Sequence, residues 1–235
     1  MGHMSRAKAF LAHHWQLFAL TAAIFALWQT PLVTPLKILV VYLHELSHGL
    51  AAIATGGDIE QINVSPNVGG FALTRGGSRF VVLSAGYLGS LLIGVALLMA
   101  ALRSEADRYV MALLGTVTLL VTALYMRDAF TIAFGALTGA AMLACAKWLS
   151  HAVNDLALRV IGLSSMIYVP YDIYDDTIRR PHLRSDAYML ADEIGGATML
   201  WGGLWLAISL AVIAASLRYM LGQASNVHFS DWRHR

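Results

Sequence analysis

The sequence predicts an all-α polytopic membrane protein of six or seven transmembrane helices, with a short β-hairpin after the second helix. Three observations carry this. Of 235 residues, 58% are hydrophobic and only 13% charged, against roughly a quarter charged in soluble domains. Mean hydropathy is +0.63. Apolar runs of the length needed to cross a bilayer recur along the chain, separated by short polar clusters.

The opening Met1-Gly2-His3-Met4 reads as a cloning remnant, with Met4 as a native start, and is set aside. The rest is read as one integral-membrane domain. The first span runs from about His14 to Gln29, with Trp15 and Trp28 at its ends in the manner of an aromatic belt. No small-residue cleavage site follows it, so it is expected to be retained. Pro31 and Pro35 punctuate the connection to a second span at about Leu36 to Thr55.

Residues 56–77 differ in texture. Ile62 and Val64 alternate with polar residues, Ser65-Pro66-Asn67-Val68-Gly69-Gly70 turns the chain, and Phe71 and Leu73 alternate again. That is a hairpin pattern. Further spans follow at about Val81 to Leu102, Tyr109 to Met126 and Phe130 to Leu149. A sixth apolar segment, Leu156 to Tyr171, is interrupted by Arg159 and Pro170. Residues 172–193 are polar and are expected outside the hydrocarbon or along a cavity. The last span is about Ala197 to Leu221. The basic cluster Arg179, Arg180 and Arg184 favours a cytoplasmic loop before it.

A formal charge of +2 gives no footing to a nucleic-acid partner. The single cysteine, Cys145, excludes an internal disulfide and a cysteine metal site. Compact size and the lack of a targeting peptide fit a bacterial inner membrane.

The most chemical feature is His44-Glu45-Leu46-Ser47-His48 within the second span. Residues four apart share a helix face, so both imidazoles can grip one metal, with Glu45 placed to reach a metal-bound water. Ionisable groups in a membrane helix are costly and mark working sites. A catalytic zinc takes three protein ligands. His13, His14, His151, His182, His228 and His234 lie at helix ends, in loops or in the tail. Among carboxylates, Asp172 follows the apolar run Met166 to Tyr171 and is the expected third ligand, with Asp176 and then Asp175 as substitutes. These residues specify one Zn2+ per chain and Glu45 as catalytic base.

His44-Glu45-x-x-His48-Gly49, Val68-Gly69-Gly70-Phe71, Ser84-Ala85-Gly86-Tyr87-Leu88-Gly89-Ser90 and Ser185-Asp186-Ala187, in that order, resemble the site-2 protease class of intramembrane zinc metalloproteases. The closest resemblance is to its small M50B-like branch. The resemblance covers about Leu36 to Trp205. It implies an endopeptidase acting on a peptide bond in or near a transmembrane segment, with membrane proteins or membrane-associated peptides as substrates. It also implies a hairpin, Ile62 to Leu73, that presents substrate by strand addition. Gly69, Gly70 and Phe71 of that hairpin, and Ser165, are the implied substrate-binding residues. Ser165 stands near the Asn of the class pattern N-x-x-P-x-x-x-L-D-G. The chain departs from that pattern: Pro170 is shifted and no Gly follows Asp172. Two rivals stay open. A di-iron hydroxylase would need several histidine boxes, and only one is present. A non-proteolytic metal-binding scaffold or transporter gains some footing from Pro170 beside Asp172.

Overall fold

The computed structural model describes residues 5–227. The proposed cloning remnant, His228 and His234 lie outside the described residues. Among them are eight α-helices and a two-stranded antiparallel sheet. Seven helical segments are long and apolar enough to cross a membrane.

Helix α1 spans Arg6–Leu27 and is capped by Ser5, whose hydroxyl accepts from the Lys8 amide. A 3-10 turn, Pro31–Val33, leads into α2, Thr34–Ala54. Pro35 falls in the first turn of α2, where its missing N–H would have had no helical partner. Helix α2 is central. Val40, Tyr42 and Leu43 have no exposed surface.

The hairpin follows as β1, Asp58–Ser65, and β2, Gly69–Arg75. Val68 turns the chain with φ 60. The pairing sets Asn63 opposite Phe71 and Val64 opposite Gly70, with a register shift between Ile59 and Gln61. That bulge has a use. An extra residue reverses side-chain parity, so Ile59 is buried with Ile62 and Val64 despite its odd spacing from them.

Helices α3, Arg79–Arg103, α4, Asp107–Tyr125, and α5, Ala129–Trp148, match the expected spans to within two residues. Helix α3 meets α6 through small residues. A Cβ added to Gly94 would stand 2.6 Å from the Ser165 Cβ, and one on Gly162 would stand 2.7 Å from the Gly94 carbonyl oxygen. Close backbone approach supplies the van der Waals contact that holds helices together in lipid.

The sixth segment departs from expectation. Helix α6 runs His151–Tyr174, passing Pro170, and continues as a π-helical turn over Asp175–Arg179. The wide turn is secured by the Arg180 amide donating to the Asp175 carbonyl at 3.0 Å. Thr177 is fully buried in it, donating to the Ile173 carbonyl at 2.5 Å. Arg159, read as an interruption, is neutralised within the helix by Asp155 one turn earlier, at 2.9 Å.

A second departure is α7, Asp186–Ile194, in a stretch expected to be polar loop. Ser185 caps it, accepting from the Tyr188 amide at 3.3 Å. Gly195 and Gly196, both with positive φ, turn the chain into α8, Thr198–Met220. Arg79 of α3 forks onto Glu193 of α7 with bonds of 2.8 to 3.1 Å, fixing the short helix against the bundle.

Candidate metal centre

Helix α2 turns His44 and His48 to one face, as their spacing requires. Their partner comes from α7. His44 Nε2 lies 3.0 Å and His48 Nε2 lies 3.2 Å from Asp186 Oδ2. These three side chains offer ligand atoms all within 4.8 Å of one another. Burial alone would raise the Asp186 carboxyl. Protonation of the facing His48 and His44 rings would outweigh it and hold the group well below the usual carboxylate range.

Two features show that this set fits a divalent cation. His48 Nδ1 lies 2.7 Å from the Val82 carbonyl. A carbonyl only accepts, so Nδ1 carries the proton and the Nε2 lone pair of the neutral ring faces Asp186. The His48 lone pair and the Asp186 oxygen repel one another until a cation sits between them, and a carbonyl behind a ligand histidine is the usual orienting partner. The second feature is Gly86 of α3. A Cβ there would stand 2.5 Å from His48 Nε2 and would also collide with His44 Nε2. The neighbouring helix is hollowed out where the two nitrogens converge.

Glu45 is buried, between the histidines and β2. A Cβ at Gly70 would stand 3.0 Å from its Cγ and Oε1. The Ala72 amide also faces this carboxylate. All four residues line a cavity of about 1060 Å³, together with Gly69, Gly70 and Phe71 of the hairpin. Phe71 is about half exposed.

The structure places Asp172 elsewhere in the same cavity. Because α6 stays helical through this stretch, Asp172 shares a face with Tyr168 four residues earlier, whose hydroxyl lies near it. Asp186, not Asp172, stands at the imidazoles. The substitutes are likewise engaged. Asp176 accepts from the Tyr87 hydroxyl and from Arg180, both at 2.9 Å. Asp175 pairs with Arg179 at 3.0 Å and also with Arg180. Ser165 is fully buried and does not line the cavity; its hydroxyl donates to the Ser90 carbonyl at 2.8 Å, where α3 and α6 touch.

Sequence reasoning noted Ser185-Asp186-Ala187 without assigning Asp186 a role. A signal was present. Ala187 and Leu190 are fully buried, and Asp186 lies on the same helical face four residues before Leu190. Tyr87 was also missed. Its ring meets His44 edge-on at 4.7 Å and is backed by Trp205 at 5.6 Å.

No curated protein and no solved structure matches the chain. The profile of the Peptidase M50B-like family matches residues 17–216. With that match running from α1 into α8 and enclosing every residue of the centre, the chain belongs to the Peptidase M50B-like family.

Proposed function

We propose that the protein is an intramembrane zinc endopeptidase of site-2 protease type, with His44, His48 and Asp186 holding one zinc ion and Glu45 serving as base. The observation that carries this reading is the convergence of two α2 imidazoles and the α7 carboxylate beside a buried glutamate. Two histidines and one carboxylate leave a coordination position open, as hydrolytic zinc sites do. Zinc bound there supplies Lewis acidity and a water acidified toward neutral pH.

The chain's own residues supply the rest. Glu45 takes the proton released by the water and returns it to the leaving amine. The Val82 carbonyl orients His48, and Gly86 leaves room for both imidazole nitrogens. The hairpin offers substrate an extended partner. In an antiparallel ladder, hydrogen-bonded and non-hydrogen-bonded pairs alternate. The Val64 amide and carbonyl are both bonded outward, to Thr131, which marks Val64–Gly70 as a non-hydrogen-bonded pair. Gly70 and Ala72 therefore turn their own backbone groups to the outer edge of β2, beside Glu45. A peptide added there is held extended, which exposes bonds that a helix would shield.

Full-length protein in liposomes tests the reading. Glu45→Gln is expected to bind zinc stoichiometrically and to lose cleavage of a membrane-inserted peptide by about 10³-fold or more. Asp186→Ala is expected to lose the metal itself, while Asp172→Ala retains it. Full metal content in Asp186→Ala, or normal cleavage by Glu45→Gln, would sink the assignment. Metal binding without any cleavage would return the scaffold alternative.

A further inference from the structure

Lys37 carries the next step. It lies on α2 seven residues before His44, and Lys37, Val41, His44 and His48 form one stripe of the helix that faces the cavity. Its Nζ sits 5.1 Å from the centroid of the Trp28 ring. Trp28 in turn packs on Tyr168 at 5.8 Å, so the ammonium is held against an aromatic wall. Among the described residues Lys37 makes no ion pair. Of the acidic groups that share the cavity, Asp175 and Asp176 are engaged by arginines and Asp186 by the imidazoles, and neither Glu45 nor Asp172 makes an ion pair with Lys37 among the described residues. An uncompensated ammonium on a membrane-spanning helix is costly, and its side chain opens onto the reaction cavity.

We propose that Lys37 is a specificity-determining residue that receives a carboxylate of the substrate. The inference rests on the metalloprotease reading above. Seven residues at a rise of 1.5 Å put Lys37 about 10.5 Å along the axis from His44. An extended substrate advances about 3.3 Å per residue, so the carboxylate lies about three residues from the scissile bond. Two sources share that chemistry: an Asp or Glu side chain, or a free chain end left by an earlier cut. The aromatic wall steadies the ammonium without neutralising it, leaving its charge for the substrate.

Full-length zinc-loaded protein in neutral-lipid liposomes decides it. Peptides of one sequence carry Asp, Asn or Lys three residues to either side of the cleaved bond, and the Asn peptide is made with a free or an amidated C-terminus. Each enzyme is scored by its own ratio of kcat/KM values between peptides. Wild type is expected to favour Asp over Lys, or free over amidated ends, by about tenfold. A gain from Asp assigns the carboxylate to a side chain, and a gain from the free end assigns it to the terminus. Lys37→Arg keeps the ratio and Lys37→Glu inverts it. If Lys37→Glu does not fold, Lys37→Gln is expected to bring the ratio close to one.

Binding of the same peptides, fluorescently labelled, to Glu45→Gln and to the double variant Lys37→Glu/Glu45→Gln separates the two ideas. Charge-dependent binding without cleavage by wild type would leave Lys37 in this role and remove the protease reading. Ratios that are the same with lysine and with glutamate at position 37, in binding and in cleavage, overturn the proposal. That is the result if the ammonium merely reaches to the interface.

Discussion

The two edges of the hairpin are chemically alike at the backbone and opposite in fate. On β1, the outer groups of Val64 are both taken by one side chain: Thr131 Oγ1 accepts from the Val64 amide at 3.1 Å and donates to its carbonyl at 2.9 Å. Asn63 adds a bond to Asp128 at 2.5 Å. The start of α5 thus closes that edge. On β2, no side chain among the described residues plays this part for Gly70, and the strand lines the cavity beside Glu45. An edge strand left open invites another strand. Closing one edge and opening the other restricts where an incoming peptide can pair, and the open side is the one beside Glu45.

The comparison can be broken from either side, and the largest effect is expected on β2. Gly70→Val puts bulk where a Cβ already reaches within 3.0 Å of Glu45 Oε1. Displacing a catalytic group by about 1 Å can cost 10²-fold in rate. Cleavage is expected to fall by ~10²-fold or more, with zinc content unchanged. If the variant cleaves normally, β2 is not a working edge.

Thr131→Val acts on the other edge. It is nearly isosteric, but it leaves the buried Val64 amide and carbonyl without their partner. Stranding buried polar groups costs about 1–3 kcal/mol, so a lower unfolding temperature in detergent is expected. Loss of cleavage should be the smaller effect, reversing the order seen at Gly70. Equal effects on stability and activity at both positions would erase the contrast between the edges.

The smallest effect is on Asp128, which caps α5 by accepting from the Thr131 amide at 3.0 Å. Hydrogen bonds from Thr131 lower its carboxyl from the ordinary value. A depressed folded value means the contribution is fully present above the unfolded pKa of about 3.9 and disappears as pH falls through the lower folded value. Hydrogen-exchange protection at Asn63 and Val64, corrected for intrinsic rates, is therefore expected to weaken below about pH 4. Asp128→Asn should flatten that response. Protection that stays level with acid in the wild type would uncouple the cap from the hairpin.

Much of this was legible in the sequence, and the reason is periodicity. Long apolar runs gave α1 to α6 and α8, and alternation at Ile62 and Val64 gave the hairpin. His44 and His48 share a face for the same local reason. What escaped depends on contacts between distant segments. Asp172 looked inward because an apolar run preceded it, but the continued helix sets it beside Tyr168 rather than in the cluster with the imidazoles. Asp186 falls within residues 172–193, whose polar composition reads as a loop outside the hydrocarbon or along a cavity. Packing on the bundle and the Arg79–Glu193 fork stabilise α7 there. Gly86 was one small residue among many until the nitrogens beside it were placed. Ser165 was judged by its position in a pattern, whereas close approach of α3 and α6 uses its hydroxyl.

The separation between His44 and Asp186 is 142 residues. A ribosome adding about 5–20 residues per second needs roughly 7–30 s to bridge it. Throughout that interval the growing polypeptide already holds His44, Glu45 and His48, yet lacks Asp186. On the zinc reading, a truncated or half-inserted product is inert by design, and hydrolysis begins only once the penultimate helix has docked. On the same reading, the order of these residues along the chain would keep an unfinished polypeptide from cutting its neighbours.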